Sequence, residues 1–344
     1  MVINYKEYIK RKILTICFVT AILIIFIIVS LSVGDYTLKF DEVIRAIFFM
    51  DTNKYVNVVV WNLRMPRVIG AIIAGAALSV SGLVMQRLLK NPLASPFTLG
   101  VSHGAMFGAA LAIILFGFGE IKKAGIIINN PYFITLFAFL GAFLAIIIIL
   151  ILSKIKNLSP EAVILSGVAI SSLFTAGTIL LQYFADELQL AAIVYWSFGD
   201  LGRVVWNELF LMFLVTISII VYFYYKRWNY LSLTLGEDVA KSLGVDVERE
   251  RLIGLFLSSL LVAVTVSFLG IIGFIGLISP HISRILIGDD DRFLIPLTST
   301  LGSLILLVSD TLARTIMAPI ILPVGILTSF LGAPMFLYLL LKMK

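Results

Sequence analysis

The sequence predicts an all-α integral membrane protein, one polytopic domain over residues 1–344 with ten transmembrane helices. Two observations carry that expectation. Hydrophobic residues make up 60% of the chain against 13% charged, with a mean hydropathy of +1.08, the balance of a membrane protein and not of a soluble domain. The apolar residues also fall into runs close to the ~20 that cross a hydrocarbon core as a helix. On that ruler spans lie near 13–33, 66–85, 97–118, 131–152, 162–184, 207–225, 252–272, 273–288, 293–312 and 320–341.

The first run follows Lys6, Lys10, Arg11 and Lys12, an arrangement that superficially resembles a secretory signal. It is too long for a signal's apolar region and lacks a convincing small-residue cleavage site, so it reads as the first span. The second opens around Pro66, between Arg64 and Arg67. Ala71, Gly75, Ser79 and Gly82 then line one side of it, a face that lets a neighbouring helix approach closely. On the fifth span Gly167, Ser171, Thr175 and Thr178 share a side. Close packing accounts for such a face, and so does a mildly polar lining for a solvent-filled path; both uses stand open. Leu252 to Ser283 holds no formally charged residue. As one helix it would run about 48 Å, too long for a core of about 30 Å. Gly270, Gly273, Gly276 and Pro280 mark the break that divides it into spans seven and eight. The ninth span carries Asp310 with Arg314 one turn later, a carboxylate paired near the membrane edge.

Basic residues orient the chain. With ten spans and the N-terminus inside, roughly two-thirds of the Lys and Arg fall on the cytoplasmic side, whereas a single span over 252–283 brings the split close to even. Both termini are therefore expected in the cytoplasm. Arg64, Arg67 and Arg314 fall outside, where this rule disfavours them.

One polar island, "NYLSLTLGEDVAKSLGVDVERERL" (229–252), interrupts the apolar runs. Thr234 and Glu237 have capping-box spacing, Gly244 is a stop signal, Val239 and Leu243 share a face, and Glu237 precedes Lys241 by four. The pattern predicts one amphipathic helix of roughly two turns, too short to be stable alone. It leans on its own protein or on a partner.

Other chemistry is missing from the sequence. There is no P-loop, CxxC, HExxH or EF-hand pattern, so no catalytic residue, metal site or cofactor is expected in this chain. The single Cys17 allows no internal disulfide. His103 and His281 lie far apart and read as packing residues. The net charge of +6 is scattered in pairs between apolar runs, which suits orientation in a lipid bilayer and not nucleic-acid binding. The Asn157-Leu158-Ser159 sequon falls on the inner side, ahead of a proline, and is discounted.

Several stretches resemble the FecCD permease family, the membrane subunits of ABC importers for iron–siderophore complexes, haem and vitamin B12. They are "LRMPRVIGAIIAGAALSVSGLVMQRLLKNPLASPFTLGVSHGA" (63–105), "LSGVAISSLF" (165–174), "LGEDVAKSLGVDVERERL" (235–252), "IGFIGLISPHISRILIGDD" (272–290), "SDTLART" (309–315) and "LPVGILTSFLGAPMFLYLL" (322–340). The likeness covers residues 60–341, in the family's order. It implies a type II ABC importer permease in a prokaryotic plasma membrane, with spans 2–5 and 7–10 as an inverted repeat. It further implies a homodimer with the path on its two-fold axis, two ATP-binding subunits on the cytoplasmic side, and an extracellular or periplasmic substrate-binding protein. The segment 229–251 becomes the coupling loop, with Gly236, Glu237, Val239, Ala240, Leu243 and Gly244 meeting the ATPase. Arg64, Arg67 and Arg314 match arginines that meet acidic residues of the binding protein. The inner gate matches "KNLSPEAV", where Ser159 stands before Pro160 and Glu161 and so departs from the small hydroxyl residues of some relatives; Gly167, Ser171 and Thr175 would line the path.

The implied function is import of an iron–siderophore, cobalamin or similar metal chelate. Some members carry molybdate or tungstate, but spans five and ten lack Lys and Arg within the core, which leans toward a bulky chelate. The alternative is a secondary transporter or channel that acts without an ATPase. A neighbouring gene for a P-loop ATPase discriminates the two.

Overall fold

The computed structural model describes residues 5–34, 37–50, 53–97, 99–116, 120–122, 125–127 and 131–342. Among these, seven helices are long and apolar enough to cross a bilayer: Tyr5–Ser32, Lys54–Leu88, Pro131–Lys154, Pro160–Phe184, Trp206–Tyr225, Val247–Leu269 and Asp291–Thr315. Three shorter apolar helices, Val101–Phe116, Ile275–Ile287 and Val324–Lys342, occupy the third, eighth and tenth assigned positions. The strands among the described residues are one antiparallel hairpin, Glu120–Lys122 with Gly125–Ile127.

Lys54–Leu88 is not uniform. Val59–Arg64 forms a π turn, with Met65 N–H donating to Val60 O, just before Pro66 enters the helix. Proline has no N–H to give the α ladder, and a widened turn beside it absorbs the disruption.

The chain divides into two compact units. The first comprises Met1–Val80, Asp200–Tyr224 and Phe274–Lys344. Here the small face of the second span is a packing face. A Cβ on Gly75 would lie 2.4 Å from Gly302 O, and Ser303 Oγ donates to Ile72 O at 2.7 Å. The helix backbones touch because neither Gly75 nor Gly302 has a side chain, the close approach that small residues permit.

The second unit comprises Ser81–Gly199 and Tyr225–Gly273. Val101–Phe116 and Pro131–Lys154 pack by the same device: a Cβ on Gly108 would lie 2.0 Å from Phe137 O, and one on Gly141 2.2 Å from Gly104 O.

The expected break in 252–283 is narrower than its glycines and proline suggested. The helix ends at Gly270 (φ +77°), Ile271 pairs in a parallel bridge with Phe198, and the next helix starts after Phe274, itself left-handed at φ +66°. Gly276 and Pro280 lie inside that next helix. The Phe274 ring fills the space that a side chain at position 332 would need, since a Cβ on Gly332 would sit 2.2 Å from its Cγ.

The island corrects another expectation. It is two helices, Arg227–Leu235 and Glu237–Ser242, hinged at Gly236 with φ +129°. Thr234 lies inside the first helix and does not cap the second; its hydroxyl donates back to Leu231 O at 2.7 Å, so the Thr234–Glu237 capping box does not form. A threonine hydroxyl in a helix finds a carbonyl of its own turn. Gly244 ends the second helix as expected, at φ +82°, with its N–H on Lys241 O at 2.9 Å.

Candidate functional site

The island is anchored from the first turn of Val247–Leu269. Asp246 caps that helix by accepting from Arg249 N–H at 3.1 Å, and Glu250 and Arg251 follow with 6% and 2% exposure. Glu250 Oε1 accepts from Lys226 Nζ and from Asn229 Nδ2, both at 2.7 Å, which ties down the Arg227–Leu235 helix. Arg251 takes the other helix, donating from Nη2 to Glu237 Oε1 at 2.7 Å. That bond holds the Glu237 carboxyl below the usual carboxylate range, and Lys241, its expected i,i+4 partner, adds only a smaller Coulombic pull.

The remaining donors of Arg251 reach elsewhere in the same unit: Nη1 to Leu158 O at 3.0 Å and Nε to Leu88 O at 3.3 Å. Short helices cannot hold themselves, and here part-buried, charge-assisted bonds do it for them. The Glu237–Ser242 helix consequently has two faces. Ala240 is fully buried, whereas Val239 and Leu243 are 43% and 64% exposed. Gly236 and Gly244 supply the left-handed turns at either end, which any L side chain would strain.

Asn157 and Leu158 are consecutive left-handed residues, each at φ +53°, and Leu158 is fully buried. Ser159, expected at a gate, caps the Pro160–Phe184 helix by accepting from Ala162 N–H at 3.3 Å. Along that helix Ser171 Oγ donates to Gly167 O at 2.7 Å, Thr175 Oγ1 to Ser171 O at 2.8 Å, and Thr178 Oγ1 to Phe174 O at 2.8 Å. Gly167 packs on the Leu99 backbone, where a Cβ would lie 3.0 Å from its Cα, and Ser171 sits 2.6 Å from the Cβ position of Gly100. Gly167 and Ser171 thus belong to a packing face, while Thr175 is exposed.

In the first unit Arg64, Arg67 and Arg314 form a second cluster. Their sequence expectation was outward presentation, but their exposures are 7%, 8% and 7%. Arg67 Nε donates to Asp310 at 2.8 and 3.1 Å, and its Nη2 lies 3.3 Å from Asp200. Arg314 Nε donates to the same Asp310 at 3.1 Å, and its Nη2 to Ser30 Oγ at 2.7 Å. Arg64 Nη1 donates to Leu31 O at 2.6 Å. The guanidinium groups turn inward because a fully buried carboxylate and free main-chain carbonyls await them there. The Asp310–Arg314 pair was legible as a one-turn spacing; Arg67, 243 residues away, was not. Together with Gly34, Tyr55 and Ile321, the arginines line a pocket of about 260 Å³.

His103 packs near the Phe97 ring, centroids 5.5 Å apart. Among the described residues no group of three or more His, Cys, Asp or Glu side chains comes together. Glu250 and Arg251 escaped the sequence reading; the available signal was the four alternating charges of "VERERL" at the very mouth of an apolar run.

Residues 22–342 match the FecCD transport family. The chain is 60% identical to a putative ABC transporter permease of Methanocaldococcus jannaschii, over 99% of this chain and 97% of that one. It is 36% identical to a hemin transport system permease of Yersinia pestis, over 95% of each. It also resembles a solved structure described as an inward-facing conformation of a putative metal-chelate type ABC transporter, with a TM-score of 0.83 and 32% identity over 96% of this chain and 99% of that one.

Proposed function

The chain belongs to the FecCD transport family of multi-pass ABC importer permeases, and from that premise we propose that it carries a bulky metal chelate inward, as one half of a homodimer. The chelate is of the iron–siderophore, haem or cobalamin kind, handed over by an extracellular or periplasmic binding protein. Two ATP-binding subunits drive the cycle from the cytoplasm, where both termini of a ten-span chain lie. The names of the Yersinia relative and of the similar solved structure, hemin and metal chelate, support this substrate class.

The observation that carries the reading is the Glu237–Ser242 helix. Its back is pinned by Arg251, and its front offers Val239 and Leu243 to whatever docks there. Apolar side chains exposed on a six-residue helix are stabilised by a partner that removes them from water. Arg67 and Arg314 share Asp310, Arg67 also faces Asp200, and Arg64 is held by main-chain carbonyls, so three guanidinium groups line one pocket and attract an acidic side chain of the binding protein.

The test is reconstitution in liposomes with and without the ATPase, with the binding protein and a ferric siderophore or haem outside. ATP-dependent accumulation is expected only with the ATPase present. Uphill uptake by the permease alone would identify a secondary transporter and overturn the assignment.

A further inference from the structure

We infer that Arg251 is a positioning residue of the transport cycle: it ties the Glu237–Ser242 helix to the turn ahead of the Pro160–Phe184 helix, so that displacement of one moves the other. The inference rests on the coupling role proposed above. One guanidinium, 2% exposed, serves three separate segments: Nη2 on Glu237, Nη1 on Leu158 O and Nε on Leu88 O, at 2.7, 3.0 and 3.3 Å. An arginine offers five N–H donors in a rigid plane, and here its three nitrogens each serve a different segment.

The segments differ in character. Glu237 opens the short helix whose other face carries Val239 and Leu243, so it moves with whatever presses on that face. The Leu158 end is a strained turn. Two successive non-glycine residues sit in the left-handed region, at about 1–2 kcal/mol each, a conformation that persists only while its surroundings hold it. Arg251 supplies the bond to its carbonyl, and Ser159, the next residue, caps the 25-residue helix that follows. A shift of Leu158 is therefore a shift of that helix's first turn.

Glu250 reinforces the arrangement. Beside Arg251 in sequence, it grips the Arg227–Leu235 helix through Lys226 and Asn229. Both island helices are thus held by adjacent residues of a single turn, and the island cannot be displaced without carrying that turn along. The path runs from Val239 and Leu243 along their short helix to Glu237, by hydrogen bonds through Arg251 to Leu158, and along the chain to the cap at Ser159, all within one compact unit.

The experiment uses the full permease–ATPase complex with its binding protein in liposomes, in a Cys17→Ser background. Spin labels are placed singly at Ser242→Cys or Lys156→Cys, both exposed positions. In the otherwise unaltered complex, ATP with vanadate should change the spectra of both labels. In Arg251→Lys and Glu237→Ala the label at 242 should still respond and the label at 156 should not, while uptake per ATP hydrolysed falls about tenfold. Glu237, whose side chain is 40% exposed, decides the matter if Arg251→Lys does not assemble. A label at 156 that responds in Glu237→Ala as it does in the parent, or an unchanged ratio of uptake to hydrolysis, overturns the inference. A parent complex whose label at 242 ignores ATP overturns the coupling reading itself.

Discussion

Asp310→Asn should be far more costly than the same change at a surface ion pair. The Asp310 side chain is fully buried and receives Nε of both Arg67 and Arg314. Asparagine keeps the shape and one acceptor oxygen but removes the negative charge that the two guanidinium groups share. Arg67 then keeps Asp200 at 3.3 Å, itself 24% exposed, and Arg314 keeps its bonds to the neutral oxygens of Ser30 and Val33. Removing one partner of a buried ion pair leaves uncompensated charge and costs about 3–5 kcal/mol. Both cations lose this carboxylate while Arg67 keeps Asp200, so we expect a loss within that range. The exposed pair Arg45–Asp41, at 3.8 Å with side chains 59% and 61% exposed, sets the scale for an ordinary surface contact, worth about 0.3–0.5 kcal/mol. Thermal and denaturant unfolding of the purified protein in detergent, run beside Asp41→Asn, measures the difference. The double variant Arg67→Gln/Asp310→Asn should recover part of the loss, because it also removes one of the two buried cations that lost the Asp310 charge. If Asp310→Asn unfolds with Asp41→Asn and the parent, the arginines are solvated individually and the cluster holds nothing together.

Leu243→Asp should leave the permease folded in the membrane, since this side chain is 64% exposed in the chain by itself, yet abolish co-purification with the ATPase, because a buried unpaired charge costs several kcal/mol. Normal subunit recovery and normal uptake would remove position 243 from the contact. Gly75→Val should destabilise by about 1–3 kcal/mol, since its Cβ meets the Gly302 carbonyl at 2.4 Å and backbone cannot swing aside; an unchanged unfolding midpoint would show that the helices separate freely.

What the sequence by itself determined is what depends on near neighbours. Hydropathy over about 20 residues located the apolar helices, and the glycines near 270 located the break between Leu269 and Ile275, because solvation and backbone freedom are properties of a short window. The face of Ala71, Gly75 and Ser79 was equally readable as a place of close approach, although not which helix would approach it. Local reading failed where two local solutions competed. Thr234 has the spacing of a cap, yet the preceding helix runs through it and its hydroxyl turns back to Leu231 O.

Only the tertiary structure decided the fate of the charges. Arg64, Arg67 and Arg314 look like outward residues at helix ends, and Arg251 like one more charge on a polar loop, until distant segments bring Asp310, Ser30, Leu31, Glu237 and Leu158 to them. The physical reason is that a charge in sequence carries a cost of burial but no record of its partner. Whether it faces water or the interior depends on a carboxylate or carbonyl that folding delivers from up to 284 residues away, and no window along the chain contains both.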